Sequence, residues 1–459
     1  MNFTSPAFVL LFPLVLILHR LLPPGARQWL LLSASLLFYA MGDLHAFPLL
    51  LILILITWYG ALRISAAASQ KVKTCLAVVS ICTVTGTLIY FKLPSAVFLP
   101  AGISFYTFQA LSYVAGVYGG TVPAERDPFS YALYISFFPQ LVAGPIEPPD
   151  VLLPQLKACR KITSEDMAAG VALLLRGYTK KICEADFLAP YVDNIFSMPS
   201  PEGPAVAAGA LLFGLQIYAD FSGYSDIACG CARMLGIRLS RNFDRPYLAC
   251  GFRDFWRRWH ITLNRWFTQM IYIPLGGSRK GLIRRCLLTL LVFLLSGLWH
   301  GAAWHYIAWG LVHGLLLIGQ ILMERIRFHQ AAQSGHAGRK KSRLLWLITF
   351  AATTWAWLFF RAPTLSQAFR MTGALGSGWS RLIPALKEFA IYDIHGFFRI
   401  CMLPALIWLL DSFFPGGASQ DRLPDRDRSI LICCLLALMI MCAWPFMSDD
   451  TNAFIYFRF

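Results

Sequence analysis

Long apolar runs stand at about 6–22, 28–42, 46–64, 73–91 and 99–119. The pattern then changes. From about 128 to 165 the runs are short and broken by Pro139, Pro145, Pro148, Pro149 and Pro154. Apolar stretches return near 168–188 and 205–236, and a polar and aromatic stretch fills 240–281. Further runs follow at 286–299, 301–323, 344–361, 396–414 and 429–447. At roughly 20 apolar residues per crossing, this pattern allows about ten transmembrane helices. No internal repeat is visible. The expectation is an all-α, polytopic membrane protein forming one domain over 1–459, with N-terminal helices to 120, a core carrying the chemistry at 121–323 and C-terminal helices from 324.

The broken middle adds a constraint. Proline and charge at membrane depth are tolerated only where backbone is buried in protein or lines a water-filled cavity. A cavity is therefore expected, which a plain structural scaffold would not need. Composition agrees with the membrane reading: 57% of residues are hydrophobic, 14% are charged and the mean hydropathy is +0.57, against about 25% charged in soluble domains. The formal charge of +16 would suggest nucleic acid in a soluble protein. Here the cations lie between apolar runs, as the positive-inside bias requires, so no nucleic-acid partner is expected and lipid is. Arg20 and Arg27 put the first loop inside and the N-terminus outside; Arg63, Lys71 and Lys73 fall inside again, and the cluster Arg325, Arg327, Arg339, Lys340, Lys341 and Arg343 is cytoplasmic by the same rule. The run from Pro6 to Leu22 lacks the flanks of a cleaved signal peptide. Of the twelve cysteines, Cys229 and Cys231 form a lone C-x-C, too little for a metal site, and no metal is expected.

Four stretches carry candidate chemistry. In "GFRDFWRRWHITLNRWF", a continuous helix over 252–266 would put Arg253, Arg257, His260 and Asn264 on one stripe. Phe252, Phe255, Trp256, Trp259, Leu263 and Trp266 would form an aromatic stripe beside it, with Asp254 and Arg258 as an i, i+4 pair. The stretch reads as an interfacial aromatic belt or as a cavity wall, with the two arginines discouraging protonation of His260. "PLGGSRKG" with Arg284 and Arg285 is a basic turn, either a membrane anchor or a landing place for an anionic donor. "LQIYADFSGYSDIACG" sets Asp220, Tyr224 and Asp226 in an apolar run, where carboxylates need partners; the arginines of 253–258 are the expected ones, as a structural network or a substrate site.

The fourth stretch, "LLSGLWHGAAWHYIAWGLVHG", holds His300, His305 and His313. On one regular helix His300 and His313 would lie about 20 Å apart and about 140° around the axis, which rules against a three-histidine metal site. Gly297 and Gly301 allow close approach to His300, and Trp299 and Trp304 bracket it, making His300 the first candidate for chemistry. His313 is expected to be a satisfied polar contact between helices and His305 a helix-end residue near water.

These stretches, with "AGISFYTFQALSYV" (101–114), "SFFPQLVAGPIEPPDVLLPQL" (136–156), "NFDRPYLA" (242–249), "YIPLGG" (272–277), "WLFFRAPTLSQA" (357–368) and the terminal "FIYFRF" (454–459), together resemble the membrane-bound O-acyltransferases, within them the alginate O-acetylation branch. Departures stand at 114–119, at Pro148 and at Thr268-Gln269. The resemblance implies a multi-helix bundle with a central funnel and re-entrant helices, in a bacterial inner membrane. It implies that His300 of "LWHGA" is catalytic and that His260 of "RRWH" is the second family histidine. It implies transfer of an acyl group, usually acetyl, from a cytoplasmic thioester such as acetyl-coenzyme A toward an extracytoplasmic polysaccharide, often through a separate periplasmic acetyltransferase. No tightly bound cofactor is expected. On this reading His300 takes the proton of the attacking hydroxyl, and His260 or Asn264 holds the acyl oxygen or orients the acceptor. D-alanyl transfer to teichoic acid from a carrier protein, and a conduit without chemistry of its own, are the competing readings.

Overall fold

The computed structural model describes residues 2–93, 96, 98–334 and 343–413. The expected run at 429–447, the terminal Phe454–Phe459 and Arg339, Lys340 and Lys341 of the basic cluster lie outside the described residues. Among the described residues the chain is helical without a strand. The helices are α1 (Pro6–Leu21), α2 (Pro24–Gly42), α3 (Phe47–Ala66), α4 (Gln70–Lys92), α5 (Ile103–Gly119), α6 (Pro128–Ser136), α7 (Pro149–Ala158), α8 (Ser164–Tyr178) and α9 (Asp186–Ser197). They continue with α10 (Gly203–Met234), α11 (Phe252–Arg258), α12 (Ile261–Phe267), α13 (Leu282–His300), α14 (Trp304–Ser334), α15 (Arg343–Arg361), α16 (Leu365–Ala374), α17 (Leu382–Tyr392) and α18 (Ile394–Phe413).

The proline-broken region forms two short helices, α6 and α7. Local signals set the boundaries. Asp127 caps α6 ahead of Pro128, and Thr163 and Asp166 close a capping box on α8. The start of α5 requires Gly102, whose φ of +72° suits glycine and where a Cβ would meet the backbone of Leu141 and Val142.

Among the described residues, six helices are long and apolar enough to cross a bilayer: α3, α4, α10, α13, Trp304–Ile326 of α14 and α15. The chain is a multi-pass membrane protein. Fewer helices qualify than the ten the apolar runs allow, in part because α5, inside the run at 99–119, has only 17 residues. α3 and α4 leave Ile52, Leu55, Ile56, Val78 and Val79 uncovered, a surface suited to lipid. α10 differs: 78% of its apolar window is buried, so its polar residues face protein.

The described residues form two compact units, the first drawn from Met1–Thr179 and Gly223–Arg241, the second from Lys180–Ser222 and Asn242–Ser419. In the first unit α8 and the end of α10 touch through glycines. A Cβ on Gly170 would meet the Gly230 carbonyl, and one on Gly177 that of Gly223. That approach lets Arg176 Nε donate to Asp226 Oδ2 at 2.9 Å, with a second bond from the guanidinium to Oδ1. Tyr224 is buried in the same unit, its ring 4.8 Å from that of Phe3. In the second unit, Lys180 and Lys181 of the π-helical segment Thr179–Ala185 go to different acids. Lys180 pairs with Asp411, and Lys181 with both Asp186 and Asp220, each at 2.8 Å. Asp220 and Asp226 therefore pair with Lys181 and Arg176, not with the arginines of 253–258; of those, Arg258 pairs with Asp254 in its own segment and Arg253 with Glu324 on α14.

Asp226→Ala strands a buried guanidinium and should destabilise the protein by about 3–5 kcal/mol, read as a lower thermal midpoint in detergent; Arg176→Met with Asp226→Leu should recover most of it. Asp166 accepts from Arg160 at 2.6 and 2.8 Å, which holds its carboxyl well below the usual carboxylate range. A carboxyl depressed on folding contributes stability at neutral pH that is lost as pH falls below about 4. The midpoint gap between wild type and Asp166→Asn should therefore be full at pH 7 and narrow on acidification.

Candidate active site

All of the following lies in the second unit. The stretch Leu294–Gly314 is not one helix. It is a hairpin of α13 and α14 with its turn at Gly301–Ala303. Glycine makes the hairpin tight: a Cβ on Gly297 would meet the Tyr306 carbonyl, and one on Gly310 that of Phe293. Gly297 thus admits the neighbouring helix backbone. The hairpin brings His300 and His313 to the same indole, with His300 5.1 Å and His313 5.0 Å from the Trp309 ring. This overturns the 20 Å separation of a continuous helix. Among the described residues, no three His, Cys, Asp or Glu side chains gather as metal ligands.

His300 ends α13 and is buried, its ring 4.7 Å from Trp299 and 4.9 Å from Phe360. Trp304 does not bracket it; that indole is 73% exposed, and Trp309 takes the place expected for it. His305 starts the first turn of α14 but is buried, with Nδ1 donating to the Phe359 carbonyl at 3.1 Å, so it is no helix end in water.

The expected continuous helix over 252–266 breaks at His260, whose φ of 45° and ψ of 55° end α11 and begin α12. A non-glycine residue takes that conformation only when held there. Asn242 holds it. Its main-chain carbonyl accepts from Ile261 N–H at 2.9 Å, and its Oδ1 accepts from the Thr262 N–H at 3.3 Å and hydroxyl at 3.0 Å. The same Oδ1 lies 3.1 Å from His260 Nδ1. Because the Thr262 amide can only donate, the Asn242 atom is the oxygen, and His260 Nδ1 must carry a proton toward it. Nε2 is thereby left with its lone pair, as an acceptor. Burial, rather than the arginines, keeps the ring neutral, pushing it down to about 3.

The break dissolves the expected stripe. Arg253 pairs with Glu324 at 2.8 Å and Arg257 is exposed. Asp254 and Arg258 form their i, i+4 pair at 2.9 Å. Asn264 Nδ2 donates toward the carbonyls of Trp256, Trp259 and His260 at 2.9, 2.6 and 3.1 Å. With two hydrogens and three carbonyls in reach, it cannot hold an acyl oxygen. The tryptophans form no interfacial belt: Trp256, Trp259 and Trp266 are all buried.

What remains is a connected aromatic cluster. Trp299 lies against both candidate histidines, 6.0 Å from His260 and 4.7 Å from His300. Trp259 joins through Trp357 at 4.9 Å, and Trp256 meets His313 at 4.9 Å. His313 is fully buried, and neither ring nitrogen has a hydrogen-bond partner among the described residues, so it is not the satisfied contact expected of it. Sequence reading missed Asn242, Trp309, Trp357 and Phe360. Asn242 opens the quoted "NFDRPYLA", but nothing in that run signals a bond to a residue 18 positions on.

Residues 123–364, which contain both histidines, match the membrane-bound O-acyltransferase family. The chain is 35% identical to a probable alginate O-acetylase of Pseudomonas fluorescens, with 100% of both chains covered. It is 30% identical to a peptidoglycan O-acetyltransferase of Helicobacter pylori over 98% of each chain. To a teichoic acid D-alanyltransferase of Bacillus subtilis it is 28% identical over 47% of this chain and 57% of the relative.

Asn242→Ala removes the acceptor that orients His260 and the anchor of its turn. Diethylpyrocarbonate labelling read by mass spectrometry should leave His260 unmodified in the wild type and modify it in Asn242→Ala, with Asn242→Asp close to wild type.

Proposed function

The chain belongs to the membrane-bound O-acyltransferase family, and on that premise we propose that it moves an acetyl group from a thioester such as acetyl-coenzyme A to a hydroxyl of an extracytoplasmic polysaccharide. The observation that carries the reading is the pair of buried histidines on a shared tryptophan, His260 and His300 about Trp299. His300 acts as the general base. It takes the hydroxyl proton as the new O–C bond forms, and returns it to the sulfur as the C–S bond breaks. Such a base contributes about 10²–10⁴-fold. His260, with Nδ1–H bonded to Asn242, presents an acceptor and not a donor. It therefore suits orienting the acceptor hydroxyl rather than holding the acyl oxygen. Trp299 and Phe360 beside His300 keep water from competing with that hydroxyl.

The acetyl group is favoured over D-alanine because similarity to O-acetylating relatives runs the length of the chain, whereas that to the D-alanyltransferase covers under half. We place the protein in a bacterial inner membrane, with the donor entering from the cytoplasmic side. The group is passed there to the polysaccharide, or to a separate periplasmic acetyltransferase that completes the transfer.

The test is acetyl ester content of surface polysaccharide, normalised to the amount of protein in the membrane. His300→Ala should lower it about 10²–10⁴-fold, and His260→Ala should lower it with His300 intact. Wild-type acetylation in His300→Ala would overturn the mechanism, and D-alanyl esters in place of acetyl would overturn the donor.

A further inference from the structure

With Asn264 committed to carbonyls and His260 presenting a lone pair, the acyl oxygen needs donors from elsewhere. Three side chains, of which Trp309 lies against His300, supply them. Trp256 Nε1, Trp309 Nε1 and both ring nitrogens of His313 have no hydrogen-bond partner among the described residues, and each residue is more than nine-tenths buried. The three rings touch one another, at 4.9 Å for Trp256 and His313, 5.0 Å for Trp309 and His313, and 5.8 Å for Trp256 and Trp309. Phe255, Phe293 and Trp357 wall the group. Trp309 links it to His300 at 5.1 Å.

A buried polar atom without a partner is unfavourable by about 1–3 kcal/mol. Phenylalanine would fill such a box without that penalty, so packing alone does not account for three nitrogen-bearing rings there. Their chemistry indicates the ligand. An indole only donates, and a neutral imidazole has one donor and one acceptor. Three N–H groups therefore face one lone pair. Water, which must donate as often as it accepts, uses this set poorly. An oxygen that only accepts uses it well.

We propose that Trp256, Trp309 and His313 donate hydrogen bonds to the carbonyl oxygen of the acyl thioester as it becomes an oxyanion. The proposal rests on the acyl-transfer reading above. When the hydroxyl oxygen adds to the carbonyl carbon, the C=O electron pair moves onto this oxygen. When the intermediate collapses the C=O bond reforms and the C–S bond breaks. The proton goes from the hydroxyl to His300 and on to the sulfur, and none passes through the three donors. In a dry aromatic box such donors act at full strength and need no reorganisation.

The test uses the purified full-length protein in detergent, with acetyl-coenzyme A as donor and short alginate oligosaccharides as acceptor. His313→Phe, Trp309→Phe and Trp256→Phe each keep an aromatic ring and remove donors. Each should lower kcat about 10²–10³-fold with the donor KM unchanged, while the thermal midpoint stays at or above that of the wild type. His313→Gln, which keeps an N–H, should recover part of kcat. Unchanged kcat in His313→Phe and Trp309→Phe would overturn the proposal and leave the box as packing. So would a loss of kcat that only follows a loss of thermal stability. If the wild type turns over acetyl-coenzyme A no faster than His300→Ala, the acyl-transfer reading itself fails, and this proposal with it.

Discussion

A polar group buried away from water must find a partner inside the protein, because neither lipid nor packed rings offer one. Several buried charges and amides among the described residues obey that constraint. Lys181 sits between Asp186 and Asp220, Lys180 against Asp411, and Arg176 holds Asp226 in two bonds. Asn264 spends its amide on three carbonyls where α11 ends. Of these, Asp220, Asp226 and Asn264 are site candidates in a linear reading, and each bonds to partners within the protein. The constraint also works in reverse. Where the indole and imidazole nitrogens of Trp256, Trp309 and His313 stay unpartnered in one buried group of rings, the departure is what the proposed oxyanion contact rests on.

Two backbone devices create that place. One is the left-handed turn at His260, held by Asn242, which divides a would-be helix and sets which nitrogen of His260 carries the proton. The other is the glycine contact of α13 with α14, where Gly297 and Gly310 let the two helices close. Together they bring three histidines from separate positions onto two tryptophans, Trp299 and Trp309. The division of labour follows from hydrogen-bond inventory. In the proposed mechanism an acceptor at His260, a base at His300 and donors around His313 are complementary demands, and one residue could not meet all of them.

The helical architecture was readable because a bilayer demands long apolar runs, and such runs are visible without knowing how they pack. The proline-broken middle was readable as broken because a proline has no N–H with which to continue a helix; Pro139, Pro145 and Pro148 lie between α6 and α7, while Pro149 opens α7 and Pro154 lies inside it. Motif spacing singled out His260 and His300. Reading failed where one local period was extended across a break. The stripe of Arg253, Arg257, His260 and Asn264 assumed a regular helix through His260, and the distance between His300 and His313 assumed one through Gly301. Neither break carries a proline to announce it.

The sequence by itself determined the membrane-spanning class, the all-α fold, the short helices of the middle and the two histidines of interest, because each follows from composition or local spacing. Only the tertiary structure decided which charges are paired, that Trp304 is exposed while Trp309 is central, and that Asn242 sets the tautomer of His260. The physical reason is that burial and hydrogen-bond pairing are properties of neighbours in space. The neighbours that matter here, Asp220 with Lys181, Asn242 with His260 and Trp256 with His313, are separated along the chain by 39 and 18 residues for the two hydrogen-bonded pairs and by α12, all of α13 and the start of α14 for the third.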